Sequence, residues 1–407
     1  MENGLLCLFF FLLLILSVYK IERLKVSNFV FIYSLLWLTA ALFSSVLFNY
    51  YISIYAYFSI LLLVVSFTLP CFIFDLYEND YENNTIFLKF DLRNIYLIFY
   101  MFICIAIFGL YMHVKSTGSD SIINVAENAS IMRYSDNSFG SKWQVLGSAL
   151  LFVILYFYGL SDELFINNKS VLFITVFLVL LTAILTSSKA SFLFSLAFYL
   201  TGFISKIILN KQLISLRYKK NIFYKVIILF SIVIGFSVVV QLFRYGFKLD
   251  QIYSVIDKVS IYIFGQYAAY SVWFDTMRDV DHSLSIPGYG IFTGLYSFLL
   301  DIKRESGFYD EMIYVTETQW TNVFTLTRFI IHEFGIVGGA TMMVVLGTTY
   351  SIFNRLFKKH PLVQVFILLP IILECFFSFS TSILSYNSVV FSIIIIYMIA
   401  FFVTRRG

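Results

Sequence analysis

Apolar runs of about twenty residues recur along the chain from Gly4 to Val403. Each is long enough to cross a hydrocarbon layer about 30 Å thick as a helix. Inside lipid a backbone must satisfy its own polar groups, either within a helix or around a closed barrel. The chain has 4 Pro in 407 residues and no sustained alternation of apolar and polar side chains, so the runs read as helices and not as barrel strands. Composition agrees, with 60% hydrophobic and 13% charged residues, where soluble domains carry roughly 25% charge. A soluble globular protein and a disordered one are both excluded. The expectation is an all-α polytopic membrane protein in which residues 1–407 form a single integral membrane domain.

Weighing the runs against the excess of Lys and Arg on cytoplasmic loops gives about eleven spans, in a range of ten to thirteen: 4–19, 29–48, 52–74, 95–112, 145–160, 170–186, 190–205, 226–243, 329–353, 362–380 and 388–403. The first is expected to be a span rather than a cleaved leader, because the basic cluster Lys20, Arg23 and Lys25 follows the apolar run instead of preceding it. One orientation gathers that cluster, Lys89/Arg93, Lys169, the basic loop 206–225, Arg355/Lys358/Lys359 and Arg405/Arg406 in the cytoplasm. These loops hold most of the 28 basic residues. The opposite face then carries two long segments, 113–144 and 244–327, and the second far exceeds an ordinary connection. Within it, the aromatic stretch from Ile252 to Asp279 is broken by Asp257, Lys258, Gly265 and Gln266. That pattern predicts short interfacial helices on the outer membrane face.

Several chemistries drop out. Cys7, Cys71, Cys104 and Cys375 all lie in apolar runs and read as small hydrophobes, so no disulfide and no metal are expected. No phosphate-binding glycine loop, nucleophile elbow or H-E-x-x-H pattern occurs. The net charge of +4 is spread over short loops, which excludes a nucleic-acid footprint. No cofactor is expected.

With short cytoplasmic loops, function is expected at the outer face, where polar residues collect at helix ends. Arg244 and Tyr245 follow a span; Gln266, Trp273, Asp275 and Arg278 lie in the large loop; Asn322 and Arg328 precede a span that His332 and Glu333 enter. Charge at a membrane helix end needs a partner. A single arginine there is adequately explained as an anchor reaching for the interface. Three arginines at one face fit bidentate contact with phosphate oxygens, hence a site for an anionic lipid head group such as a lipid pyrophosphate. Lys189, in the short turn between two spans, is a further cation beside Ser187, Ser188 and Ser191. Glu374 and Asn387 read as polar residues that pack helices together.

The stretch Thr321 to Gly339, TNVFTLTRFIIHEFGIVGG, resembles a pattern that opens a late span in the Wzy-type O-antigen polymerases, the oligosaccharide repeat-unit polymerases. Asn322, Val323, Phe324 and Thr325 are followed by Arg328 and then by Glu333, Phe334 and Gly335, with Glu where Asp is more usual. TSSKASFLFSL resembles a second short segment of that family, with Lys189 in place of an arginine. The resemblance implies a GT-C-like glycosyltransferase of the bacterial inner membrane, with its active site facing the periplasm. It would move a growing glycan from undecaprenyl pyrophosphate onto a newly flipped, undecaprenyl-pyrophosphate-linked repeat unit, without metal or nucleotide sugar, beside a separate chain-length co-polymerase. It further implies Arg244, Arg278 and Arg328 on the pyrophosphates with Lys189 assisting, Glu333 or His332 as general base with Asp275 behind them, and Asn322, with Tyr245 and Gln266, on the glycan side. The rival expectations are an O-antigen ligase, whose His-Asn/Ser signature does not follow His282, and a lipid-linked oligosaccharide flippase, which would spread charge through mid-membrane positions.

Overall fold

The computed structural model describes residues 33, 37, 40, 41, 44, 52–76, 89–119, 121–132, 142–210, 231–277, 288–300, 312–317, 319–356, 361–378 and 380–405. The expected first span, 4–19, and residues 211–225 of the basic loop lie outside them. In chain order the main helices are α1 (Ile54–Leu76), α2 (Leu92–Thr117), α3 (Ile122–Met132), α4 (Lys142–Leu160), α5 (Lys169–Leu185) and α6 (Lys189–Asn210). They continue with α7 (Ser231–Arg244), α8 (Ile252–Ser260), α9 (Gln266–Met277), α10 (Tyr289–Leu300), α11 (Leu326–Leu356), α12 (Pro361–Phe377) and α13 (Asn387–Val403). Among the described residues, Ile54–Phe74, Leu92–Thr117, Lys142–Leu160 and Leu326–Leu356 are long and apolar enough to cross a membrane, and four shorter apolar helices add to them. The protein is an all-α membrane protein with several passes. Among the described residues, sheet is confined to two short antiparallel pairs, residues 89–90 with 404–405 and 313–314 with 320–321.

The chain forms two units. One comprises Asn83–Val259 and Ser388–Gly407. Its centre is α4, buried without interruption from Gly147 to Leu160. In lipid the hydrophobic effect does not drive helices together, so close backbone approach and polar contacts must. Here α4 and α6 meet at Gly159 and Gly202, each of which faces the backbone of the other helix so closely that a Cβ would strike it. Phe152 stacks on Phe198 beside this crossing, with ring centres 5.5 Å apart. On another side, Ser392 of α13 donates its hydroxyl to Ala149 O at 2.9 Å. The threonines of α5 are satisfied within their own helix: Thr175 and Thr182 each donate to a carbonyl one turn back at 2.7 Å. Pairing of Lys89 with Arg405 brings the start of α2 and the end of α13 together at one end of the unit.

The other unit comprises Met1–Glu82 and Ser260–Asn387. There α1 lies along α11, and Tyr33, Trp37 and Phe67 fill the space toward α9 and α12. Tyr33 meets Phe67 edge-on at 4.9 Å, Trp37 meets Tyr267 at 5.8 Å, and the Trp37 indole N–H donates to Ser378 Oγ at 2.7 Å. The aromatic stretch expected on the membrane surface divides differently: α8 ends the first unit, while a π-turn (Ile261–Gly265) and α9 belong to the second. Helix α9 packs into the interior of its unit. Gln266 to Ser271, Trp273 and Phe274 are all buried. Two of its polar side chains find protein partners there: Tyr270 and Ser59 share a hydrogen bond at 2.5 Å, and Ser271 Oγ accepts from Ser53 N at 2.7 Å.

Candidate functional site

The first cluster is built on residues 320–335. The pair 313–314/320–321 delivers an extended segment, Asn322 to Thr325, to the head of α11. Leu326 N donates to Ser378 O at 2.7 Å, and Arg328 N closes the first turn onto Thr325 O at 3.1 Å. Arg328 is only 2% exposed. Its guanidinium lies over the Phe324 ring at 3.7 Å and over Trp273 at 5.3 Å. A cation held out of water in this way is stabilised by the electron-rich ring faces. One turn further, on the same helix face, His332 presents its ring to Trp273 edge-on at 6.0 Å. Two turns after Arg328 the helix breaks. Gly335 has φ 67° and ψ 178°, a conformation essentially restricted to glycine. The acidic-Phe-Gly triplet is thus a hinge that separates the opening turns 326–334, buried as far as Ile331, from the apolar remainder of α11.

The other expected residues in this unit have defined partners. Glu333 Oε1 accepts from Gly290 N at the start of α10. Asp275 Oδ1 accepts from Ser53 Oγ at 2.9 Å, and Ser53 in turn accepts from Ala56 N at 3.2 Å as the cap of α1. Gln266 is wholly buried, with Nε2 donating to Ile263 O at 2.9 Å across the π-turn. Its amide serves the backbone. Asn322 is half-buried at the head of the segment. Glu374 Oε2 accepts from Leu384 N at 3.2 Å and Asn387 Nδ2 donates to Ser297 Oγ at 3.0 Å, both packing roles.

The second cluster lies in the unit built around α4. Arg244, at the end of α7, directs Nε (2.8 Å) and Nη2 at the carbonyl of Ser187. Ser187 occupies the left-handed region with φ 49° and donates its hydroxyl to Ala126 O in α3. The Arg244 fork therefore braces the turn that presents Lys189. Lys189 precedes the apolar part of α6, and burial, reinforced by the cations Arg244 and Lys258, pushes its ammonium from 10.5 down to about 7. Burial also lowers Lys258 from its ordinary value. Tyr245, 37% exposed, starts the turn that ends α7, where Phe247 N donates to Leu242 O at 2.8 Å. Glu127 packs its carboxylate against Gly246 in that turn.

The expected site residues thus fall into two groups. Arg328, His332, Glu333, Asn322, Asp275 and Gln266 belong to one unit; Lys189, Arg244 and Tyr245 belong to the other. Arg278 lies outside the described residues. Sequence reasoning missed Lys258 as a neighbour of Lys189 and missed the ring pair around Arg328. Phe324 stands in the same short stretch as Arg328, in the extended segment before α11, whereas Trp273 lies about fifty residues away in α9 and gave no signal. Among the described residues no group of His, Cys, Asp and Glu has the makings of a metal site. Comparison with protein-family models, with curated proteins and with solved structures finds no match for this chain.

Proposed function

We propose that this protein is a repeat-unit polymerase similar to the Wzy-type O-antigen polymerases: a GT-C-like glycosyltransferase of about eleven spans in the bacterial inner membrane, working at the periplasmic face. The reading rests on one observation above the others. The residues from Asn322 to Gly335 that carry the family resemblance fold into a single turn-and-hinge, with Arg328 held between Phe324 and Trp273 and His332 one turn away. In the proposed reaction the acceptor sugar hydroxyl attacks the anomeric carbon of the lipid-linked donor glycan. The bond from that carbon to the pyrophosphate oxygen breaks, and undecaprenyl pyrophosphate leaves with the electron pair. Arg328 supplies fixed positive charge for the leaving group in a medium of low dielectric, where such charge acts most strongly. His332 takes the hydroxyl proton. Lys189, on the turn braced by Arg244 and within electrostatic reach of Lys258, is the second cationic site for a diphosphate. The substrate class is lipid-linked oligosaccharide, and a chain-length co-polymerase is the expected partner.

The test is deletion of the gene followed by electrophoresis of surface polysaccharide. Loss of a polymerase leaves core bearing a single repeat unit; loss of a ligase leaves bare core with lipid-linked polymer accumulating; a normal ladder overturns both. Complementation with Arg328→Ala is expected to restore insertion of the protein but not the ladder. Wild-type chain lengths from that variant would remove Arg328 from the reaction.

A further inference from the structure

The carboxylate of Glu333 stands in the motif where a base would be sought, yet its surroundings assign it other work. Oε1 receives the N–H of Gly290, and Oε2 is sealed from solvent. A general base must bring an oxygen within hydrogen-bond reach of the incoming hydroxyl. One oxygen here is committed to a backbone amide and the other faces protein.

The recipient helix needs such a contact. The first N–H groups of any helix have no partner inside it. In α10 the opening turn is irregular: Gly288 is at φ 74°, Phe292 N donates back to Gly288 O at 2.8 Å, and Phe292 departs from helical geometry at φ −110° and ψ 22°. An anionic acceptor at that end also meets the positive end of the helix dipole. The rest of α10 is secured separately, through Ser382 Oγ donating to Ile291 O at 2.7 Å and Asn387 to Ser297 at 3.0 Å. Glu333 is a contact that joins α10 to the short turn of α11 carrying Arg328 and His332. That turn is bounded behind by the Gly335 hinge, so its own backbone does not carry it rigidly onward into the apolar helix.

We propose that Glu333 is a positioning residue: its carboxylate fastens the N-terminal turn of α10 to the Arg328–His332 turn and holds one wall of the site in place. The role in catalysis rests on the polymerase reading; the fastening does not. A glutamine keeps a carbonyl oxygen that accepts from Gly290 N but cannot act as a base. An alanine keeps neither.

The full-length protein, purified in detergent, is compared as wild type, Glu333→Gln and Glu333→Ala by hydrogen–deuterium exchange of the peptide covering residues 289–300, and the same variants are tested for ladder formation in the deletion strain. Expected are wild-type exchange and a near-normal ladder for Glu333→Gln, with exchange at the start of α10 faster by roughly tenfold and a matching loss of polymer for Glu333→Ala. Glu333→Gln that keeps α10 protected but abolishes the ladder would make Glu333 the base and overturn the proposal. Unchanged exchange in Glu333→Ala would overturn the fastening itself. If deleting the gene leaves the ladder normal, the polymerase reading falls while the exchange result still decides what Glu333 holds.

Discussion

At the scale of single residues, the arrangement around Arg328 depends on shape as much as on charge. A guanidinium is flat and stacks on rings; an ammonium is compact and strongly hydrated. Arg328→Lys keeps the charge but forfeits the fit between Phe324 and Trp273. Desolvated cation–ring contacts are worth about 2 kcal/mol, so polymer output in the deletion strain is expected to fall on the order of tenfold or more. Near-normal ladders would mean that charge alone suffices. Gly335 makes a different demand. Any side chain at φ 67°, ψ 178° is strained, on the order of 1–3 kcal/mol. Gly335→Ala is therefore expected to lower the melting temperature measured in detergent, although open space surrounds the position. Lys189 yields a prediction in pH. Its folded-state value, about 7, lies below the ordinary 10.5, so below pH 7 the native state carries an ammonium that its surroundings disfavour. As pH rises above 7 the native form sheds that proton while the unfolded chain keeps it, so stability increases toward pH 10.5. Lys189→Met is expected to flatten this part of the melting-temperature profile; an unchanged slope would show that Lys189 does not titrate there.

At the scale of elements, what was legible in the sequence follows from which forces are local. Apolar runs announce themselves because length and hydropathy are properties of one segment, and α1, α2, α4 and α11 lie where such runs predict. Helix α9 shows where the same reasoning stops, because its burial against protein was not legible. A stretch rich in aromatics but interrupted by Gln and Ser has the same composition whether it lies on a membrane or is buried with its polar groups satisfied by protein. Ser53 and Ser59, distant in sequence, supply two of the partners that such burial calls for. The Arg328 cluster shows the same limit, since Phe324 was within reach of the motif and Trp273 was not. The α4–α6 crossing offers an element-scale test. Gly159→Leu must force two backbones apart, at a cost of roughly 1–3 kcal/mol for overpacking. Gly235→Leu on α7, where nothing lies within 4 Å of the new Cβ, is the matched control. The expected result is a lower yield of monodisperse protein and a lower melting temperature for Gly159→Leu alone. Equal behaviour of the two variants would show that the crossing tolerates separation.

At the scale of the whole molecule, the distribution of charge and the pairing of distant segments make one shared demand on topology. The charge asymmetry expects the loops at Lys89/Arg93 and at Arg405/Arg406 on the cytoplasmic side, a reading drawn from residue counts alone. The antiparallel pairing of Lys89 with Arg405 is a backbone constraint that knows nothing of charge. It requires the two segments to lie on the same side of the membrane, whichever side that is. Single cysteines at Lys89 and Arg405, each in a background with Cys7, Cys71, Cys104 and Cys375 replaced by alanine, separate the two arguments. Both positions are expected to resist a membrane-impermeant maleimide added to intact spheroplasts and to react once the membrane is opened. Labelling of both from outside would reverse the orientation while keeping the pairing. Labelling of one alone would break the pairing, and with it the count of passes that α2 to α13 must make in between.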